Sequence, residues 1–393
     1  MRGFNMNVLK ALFLLIIASI FVSCNTTNAT PEQDINLPFG INALTIETGS
    51  SSAFVLLQDG SLWGWGSNST GQLGNGTSTD WSIPHLSPIY IVDDVAYVSA
   101  GGSGMRSGNS LHVMVIRNDG SLWSWGRNIP GQLGDGTFNM RSSPGLVMED
   151  VIAVSAGGTH TMAIRSDGTL WAWGCNCTGK LGDGTFTSRP TPIHIMDDVI
   201  AVSAGLNHTL ALKTDGTLWQ WGVHGRIPTE TSNVPVMVMT DVVAMSAGGL
   251  HSLAICRNDS LWGWGQNHRG QLGIGTFSYY QETPVHIMDD VITASAGYSH
   301  SAVIKSDNSL WTWGYNHIGQ LGDGTLTNRN SPVHILDNVS IVATGSTWHS
   351  YNIVIKTDHS IWAWGDNFWG QLGDRNYGTL YNQNTPIEVV LFQ

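Results

Sequence analysis

Seven times in 393 residues the chain writes Leu/Ile-Trp-x-Trp-Gly, at Trp63/Trp65, Trp123/Trp125, Trp171/Trp173, Trp219/Trp221, Trp262/Trp264, Trp311/Trp313 and Trp362/Trp364. These pairs take 14 of the 17 tryptophans, and the first Trp of each recurs at intervals of 60, 48, 48, 43, 49 and 51 residues. A recurrence of this length means one supersecondary unit per repeat, stacked so that neighbours bury what a single unit cannot.

The third unit, Val151 to Thr185, shows what each repeat contains. Val151–Ala156, His160–Arg165 and Thr169–Trp173 are short β-branched or aromatic runs, and Pro192–Met196 follows as a fourth. Asp167-Gly168 between the second and third runs predicts a tight hairpin of type I′. Proline at the start of the fourth run stands where a missing N–H does least harm. Alternation places Trp171 and Trp173 on one sheet face. Four antiparallel strands per unit of about 50 residues, with no helical periodicity in the mature chain, predict an all-β fold. Repeated radially, such units form a seven-bladed β-propeller of four-stranded blades. The indoles, each burying on the order of 200 Å², then fill the space between blades rather than hold a ligand.

The full pattern is Ala-Gly-x-x-His, then Asp-Gly-x-Leu-Trp-x-Trp-Gly-x-Asn-x-x-Gly-Gln-Leu-Gly-x-Gly-Thr. Its core stands at Gly71–Gly74, Gly131–Gly134, Gly179–Gly182 (with Lys180 for Gln), Gly270–Gly273, Gly319–Gly322 and Gly370–Gly373. It closely resembles the regulator of chromosome condensation repeat, from about Leu37 to the C-terminus. The resemblance implies a seven-bladed propeller, in agreement with the seven units counted. Members of that family include a nuclear nucleotide-exchange factor, ubiquitin-ligase modules and a secreted bacterial β-lactamase inhibitor, so the fold does not dictate one activity. The fourth unit departs from the pattern: Trp221-Gly222 runs into Val223–Pro228 with no Gly-Gln-Leu-Gly, which predicts an asymmetric rim there. The leading strand Ile41–Thr48 and the trailing strand Pro386–Val390 are expected to lie side by side and close the ring.

Residues 1–23 read as a lipoprotein-type signal peptide: Arg2 and Lys10 precede the short apolar run Ala11–Val22, and Phe21-Val22-Ser23-Cys24 resembles a lipobox. Lipid attachment is expected at Cys24, with residues 24–36 as a polar tether and 37–393 as the propeller. The expected location is extracytoplasmic, anchored to a bacterial membrane by that lipid alone, or else secreted.

The formal charge is −12, and −14 once Arg2 and Lys10 leave with the leader. Without a Lys/Arg cluster such a chain is not expected to bind nucleic acid, which requires cationic contacts to phosphate. The remaining cysteines, Cys175, Cys177 and Cys256, are too few and odd in number for a disulfide framework, and Cys175-Asn176-Cys177 reads as loop variation. The histidine after the Ala-Gly turn recurs as His112, His160, His208, His251 and His300, with Ser52 and Tyr351 in its place in the first and last units. With no carboxylate recurring beside it, it is expected to bond backbone rather than a metal. Asp135, Asp183 and Asp323 have turn roles. No nucleophile–base constellation, metal motif or phosphate loop is present, so neither an enzyme nor a cofactor is expected.

A propeller keeps its scaffold positions and varies its loops. The Ala-Gly-x-x-His turns and the Trp-Gly-x-Asn loops should emerge at one end, the Asp-Gly hairpins at the other. On the shared end the later units carry Tyr298, Tyr315, Trp348, Phe368 and Trp369, and an insertion in the second unit adds Met105 and Arg106. Aromatic, Met and Arg side chains on one rim have the composition of a protein-binding hot spot. The expectation is a monomeric cell-surface or secreted module that inhibits or scaffolds a partner protein through this face. A nucleotide-exchange regulator and a glycan-binding or glycan-active protein are the alternatives.

Overall fold

The computed structural model describes residues 43–391, apart from 81, 104–110, 224–230, 346 and 348–349. The segments expected to be signal peptide and tether, with Cys24, therefore lie outside the described residues, as do Met105, Arg106 and Trp348.

Twenty-eight strands form seven separate four-stranded antiparallel sheets, each built from four consecutive strands. The third blade comprises Val151–Ala156, His160–Arg165, Leu170–Gly174 and Arg189–Met196, within a few residues of the expected bounds. The single helical turn among the described residues is a 3-10 turn at Thr379–Tyr381.

The first strands of all seven blades face a central cavity of about 380 Å³. A belt of side-chain bonds joins them: Ser99 Oγ accepts from Ala156 N at 3.0 Å, Ser155 from Ala204 N at 2.9 Å, Ser203 from Ala247 N at 2.9 Å and Ser246 from Ala296 N at 3.0 Å. The equivalent residue of the first blade is Glu47. Its carboxyl faces the cavity, and burial pushes it up to about 8.

Six of the seven seams between blades are made in one way. The second Trp of a pair is buried and donates its indole N–H to the main-chain carbonyl of the Gly-Gln-Leu-Gly loop in the preceding blade. Trp125 reaches Gln72 O at 2.8 Å, Trp173 Gln132 O at 2.9 Å, Trp221 Lys180 O at 2.8 Å, Trp313 Gln271 O at 2.9 Å and Trp364 Gln320 O at 3.1 Å. Burying about 200 Å² of indole contributes on the order of 5 kcal/mol per seam. The indole N–H also loses its water there, so the carbonyl partner is required rather than optional.

Ring closure differs from the sequence expectation. The N-terminal strand Ala43–Thr48 is the innermost of the first blade, whereas the C-terminal strand Gln383–Val389 is the outermost of the last, and neither pairs with the other. Strands at opposite radial positions cannot share a ladder. The ring closes by the same seam as elsewhere: Trp65 Nε1 donates to Gln371 O at 3.0 Å, and Tyr351 Oη adds a bond to Ser52 O at 2.8 Å. Ile46, Trp65, Tyr351, Val389 and Leu391 share one apolar cluster across it.

The hairpins also differ in type. Gly168 has φ +84°, but Asp167 is not left-handed, so the turn is not type I′. Arg165 N bonds Thr169 O at 3.0 Å across three loop residues, the geometry of a type I turn closed by a left-handed glycine. Asp167 Oδ1 instead accepts from Thr169 N and Oγ1, and Thr169 Oγ1 accepts from Trp171 Nε1 at 2.9 Å. The same relay from hairpin acid or amide through hydroxyl to the first indole recurs, for example Asp59–Ser61–Trp63 and Asn258–Ser260–Trp262. The first Trp is half-buried and tethered to the hairpin, while the second seals the seam.

Candidate binding face

The loop that follows each Trp pair is built on its own asparagine. Asn176 is buried; its Oδ1 accepts from Leu181 N at 3.0 Å, and its Nδ2 donates to Asp183 Oδ1 at 2.8 Å and Thr185 O at 2.9 Å. Asn128 and Asn316 make the same set with Leu133, Asp135 and Thr137, and with Leu321, Asp323 and Thr325. Burial works against the Asp183 carboxylate, but hydrogen bonds from Thr185 and Arg189 outweigh it and hold the group below its usual range. The turn reading of these aspartates is thus extended: they also pin the loop to the fourth strand through Arg189 and Arg329. Glycine follows the Leu because a Cβ on Gly134 would stand 2.7 Å from Trp173 Nε1, at φ +76°. The interior of each loop is scaffold, and its variable residues are what it displays.

Loops after the first and third strands emerge at the same end, as expected. Cys175 N donates to Thr159 O at 2.8 Å and Tyr315 N to Ser299 O at 2.9 Å, tying each Trp-Gly-x-Asn loop to the neighbouring Gly-x-x-His turn.

The recurrent histidines sit beneath this face, buried at the seams. Their Nε2 atoms meet side chains of the next blade: His112 with Thr161 Oγ1 at 3.0 Å, His160 with Thr209 Oγ1 at 2.9 Å, His251 with Ser301 Oγ at 3.0 Å and His300 with Asn352 Oδ1 at 2.9 Å. Thr161, Thr209 and Ser301 already donate their hydroxyl protons to Gln132 O, Lys180 O and Gln271 O, so the imidazoles must donate from Nε2. This fixes the tautomer by elimination. The Nε2 partner is a side chain of the next blade, because the imidazole reaches across the seam; His112 also bonds the backbone of Gly101 and His160, the kind of partner expected from sequence. Burial holds His112 and His251 down at about 3 and His300 at about 4.

Four of the expected contact residues can be placed. Tyr298 is half-buried and packs over the preceding blade, where a Cβ on Gly249 would lie 3.2 Å from its ring. Phe368 and Trp369 are half-buried and meet edge to face at 4.7 Å, their backbone N–H groups held by Asp366 and Gln371. Tyr315 forms the centre of a larger group. His317 stacks on it at 5.5 Å with rings inclined by 12°, and the Arg269 guanidinium of the fifth blade lies 4.8 Å from the ring centre. In the same loop as Arg269, His268 faces Tyr279 at 6.2 Å, and Tyr279 and Phe277 are 54% and 52% exposed. Burial and the Arg269 charge lower the pKa of His268.

Sequence reasoning selected Tyr315 but missed Arg269, His317, His268 and Tyr279. It also passed over Phe138, Phe186, Phe277 and Leu326, which follow the Gly-Thr of their loops and are all more than half exposed at the outer rim. Their signal was available: an apolar residue recurs after Gly-Thr where no strand alternation calls for one.

Seven four-stranded blades, with six of the seven seams closed by an indole on a loop carbonyl, define a repeat propeller with one elaborated loop face. The chain belongs to the family described as the RCC1-like domain, which it matches over residues 103–393, with regulator of chromosome condensation (RCC1) repeats matched over 59–104 and 45–72. Among curated relatives, the human E3 ubiquitin-protein ligase HERC2 is 31% identical over 108 residues, 28% of this chain and 2% of the ligase. The mitochondrial RCC1 domain-containing protein RUG3 of Arabidopsis thaliana is 29% identical over 134 residues, 32% of this chain and 28% of that protein. The chain thus spans less than a third of either relative's own length. Of solved structures, human WBSCR16 superposes with a TM-score of 0.70 at 22% identity, covering 83% of this chain and 92% of that one. Prp20p of Saccharomyces cerevisiae gives 0.71 at 18%, covering 87% and 86%. At such identities the likeness concerns the fold.

Proposed function

We propose that the chain is a protein-binding module whose contact centre is the group Arg269–Tyr315–His317 with His268, Tyr279 and Phe277, on the loop face at the seam of the fifth and sixth blades. One observation carries this reading: aromatic rings and a guanidinium from two blades are pre-stacked on a rigid scaffold. Arg and Tyr dominate interface energetics, and a ring already held in place forfeits little rotamer freedom on binding. Phe368 and Trp369 extend the same end of the propeller. The leader-like N-terminus supports an extracytoplasmic setting with lipid attachment at Cys24, in which binding inhibits or scaffolds a surface or secreted protein.

The test is affinity capture from surface and medium fractions, comparing the chain with a Tyr315→Ala/Arg269→Ala variant of matched melting temperature. Loss of a captured protein with the variant supports the reading. Equal capture by both proteins removes the contact centre from this seam, and capture of glycans alone replaces the protein partner.

A further inference from the structure

The third blade departs from the repeat in three places at once. Where other units carry residues such as Ser67 and Ser69 or Tyr315 and His317, it has Cys175 and Cys177; where they carry Gln72, Gln132, Gln271, Gln320 and Gln371, it has Lys180. The loop scaffold brings the three together. Asn176 between the cysteines is pinned inside the loop, so both thiols project from one short arc, with Sγ atoms 2.9 Å apart. Cys177 is exposed and Cys175 partly so.

Lys180 is 1% exposed. Its ammonium donates to Thr159 Oγ1 at 2.8 Å and Leu206 O at 3.1 Å, and both acceptors are neutral. A buried cation with neutral acceptors alone gains most from a neighbouring anion. The thiol of Cys175 is placed to supply one, since it also hydrogen-bonds Thr159. Burial by itself would raise that thiol; the Lys180 charge and the bond shared with Cys177 outweigh it and set Cys175 below the usual thiol range. Cys177 is shifted upward by burial and by its neighbour. The two thiols are thereby differentiated: Cys175 is made the more acidic of the pair and Cys177 the less acidic.

We propose that Cys175, Cys177 and Lys180 form a thiol–disulfide exchange site on the loop face, in which Cys175 attacks low-molecular-weight disulfides and Cys177 resolves the product. The Cys175 thiolate bonds to one sulfur of the small disulfide, and the other sulfur leaves as a thiolate and takes a proton from water. Cys177 then gives its proton to solvent and attacks the Cys175 sulfur of the mixed disulfide, expelling the second small thiol. Two protein thiols and one small disulfide become one Cys175–Cys177 disulfide and two small thiols; the protein loses two electrons and the reagent gains them. Cys177 is exposed and Cys175 partly exposed, so a small disulfide meets the pair from the loop face.

The repeat supplies the control. Lys180→Gln restores the residue that the other intact loops carry, and so should fold. The fully reduced chain is incubated with glutathione disulfide, quenched by alkylation and read by peptide mass spectrometry, which separates the 175–177 peptide from Cys24 and Cys256. Expected are a Cys175–Cys177 disulfide in the unsubstituted chain and a stable glutathione adduct on Cys175 in Cys177→Ser. In Lys180→Gln the Cys175 rate at pH 7 should fall roughly tenfold and the pH of half-maximal rate should rise, since the thiolate is the nucleophile. The proposal is overturned if Cys175 reacts no faster than Cys256, if Cys177→Ser and the unsubstituted chain end in the same adduct, or if Lys180→Gln leaves rate and pH profile unchanged.

Discussion

Lowering the pH from 7 to 5 should destabilise the propeller through its buried histidines. His112, His251 and His300 are held neutral by burial, with values of about 3, 3 and 4, against about 6.5 in an unfolded chain. Folded values below unfolded ones mean that the unfolded state binds more protons throughout this window, so stability falls as pH falls below about 6.5. Between pH 7 and 5 each contributes a loss of about 2 kcal/mol, or about 6 kcal/mol for the three. Glu47 acts in the opposite sense. Its carboxyl is raised to about 8, so the folded state keeps a proton that the unfolded state releases, which offsets about 2 to 3 kcal/mol over the same interval. Tyr97 and Tyr351 are the titratable groups facing it; both phenols are raised by burial and stay neutral here. The hairpin aspartates Asp59, Asp119 and Asp167 are lowered by their Ser/Thr hydrogen bonds, so their contribution is lost only at more acid pH. His160, held well below its usual range by burial, acts in the same sense as the other three, so the net expectation is a loss of at least about 3 kcal/mol, rising to at least about 6 kcal/mol in Glu47→Gln. Urea unfolding followed by tryptophan emission at pH 7 and 5 measures both. Equal stability at the two pH values in Glu47→Gln would falsify the assignment of the seam histidines as buried neutral donors.

The degenerate fourth blade gives a second test. Lacking the loop carbonyl that other seams use, Trp264 donates to the Gln220 side chain at 2.6 Å, both residues being buried. Gln220→Ala should therefore cost about 2 to 3 kcal/mol by stranding the indole N–H. Gln72→Ala should cost less, because there the acceptor is a main-chain carbonyl that survives truncation; equal urea midpoints for the two variants would contradict this. A third test separates backbone strain from contact. Gly134→Ala combines a left-handed φ with a Cβ 2.7 Å from Trp173 Nε1, whereas Gly275 has φ +79° and nothing within 4 Å. Gly275→Ala should lower stability by about 1 kcal/mol, and Gly134→Ala by clearly more, as read from thermal melts.

Features repeated in every unit were legible in the sequence, because seven copies average out local noise. The strands Val151–Ala156 and His160–Arg165 and the common end of the two loop sets follow from alternation and turn residues alone. What escaped depends on partners far along the chain. Asp167-Gly168 announces a tight turn, but whether two or three residues close it rests on where Arg165 pairs. The seam partner of Trp173 is 41 residues away, and that of Trp65 is 306 residues away. Local pattern could therefore not show that the ring closes without strand exchange. Tyr315 was legible as an aromatic in a variable loop; Arg269, which makes it a cation–ring pair, comes from another blade. Cys175 and Cys177 stand at loop positions that vary between units, so neither marks a site alone; only the simultaneous change of Gln to Lys180 sets them apart.

The central claim is that partners are read by the loop face at the seam of the fifth and sixth blades. Hydrogen–deuterium exchange of the chain alone and with its captured partner tests it most directly. Slowed exchange is expected in residues 266–279 and 315–327, with the Asp-Gly hairpins at the opposite end unchanged. Protection confined to those hairpins, at residues 58–61, 166–169 or 214–217, would place the partner on the other face and contradict the account.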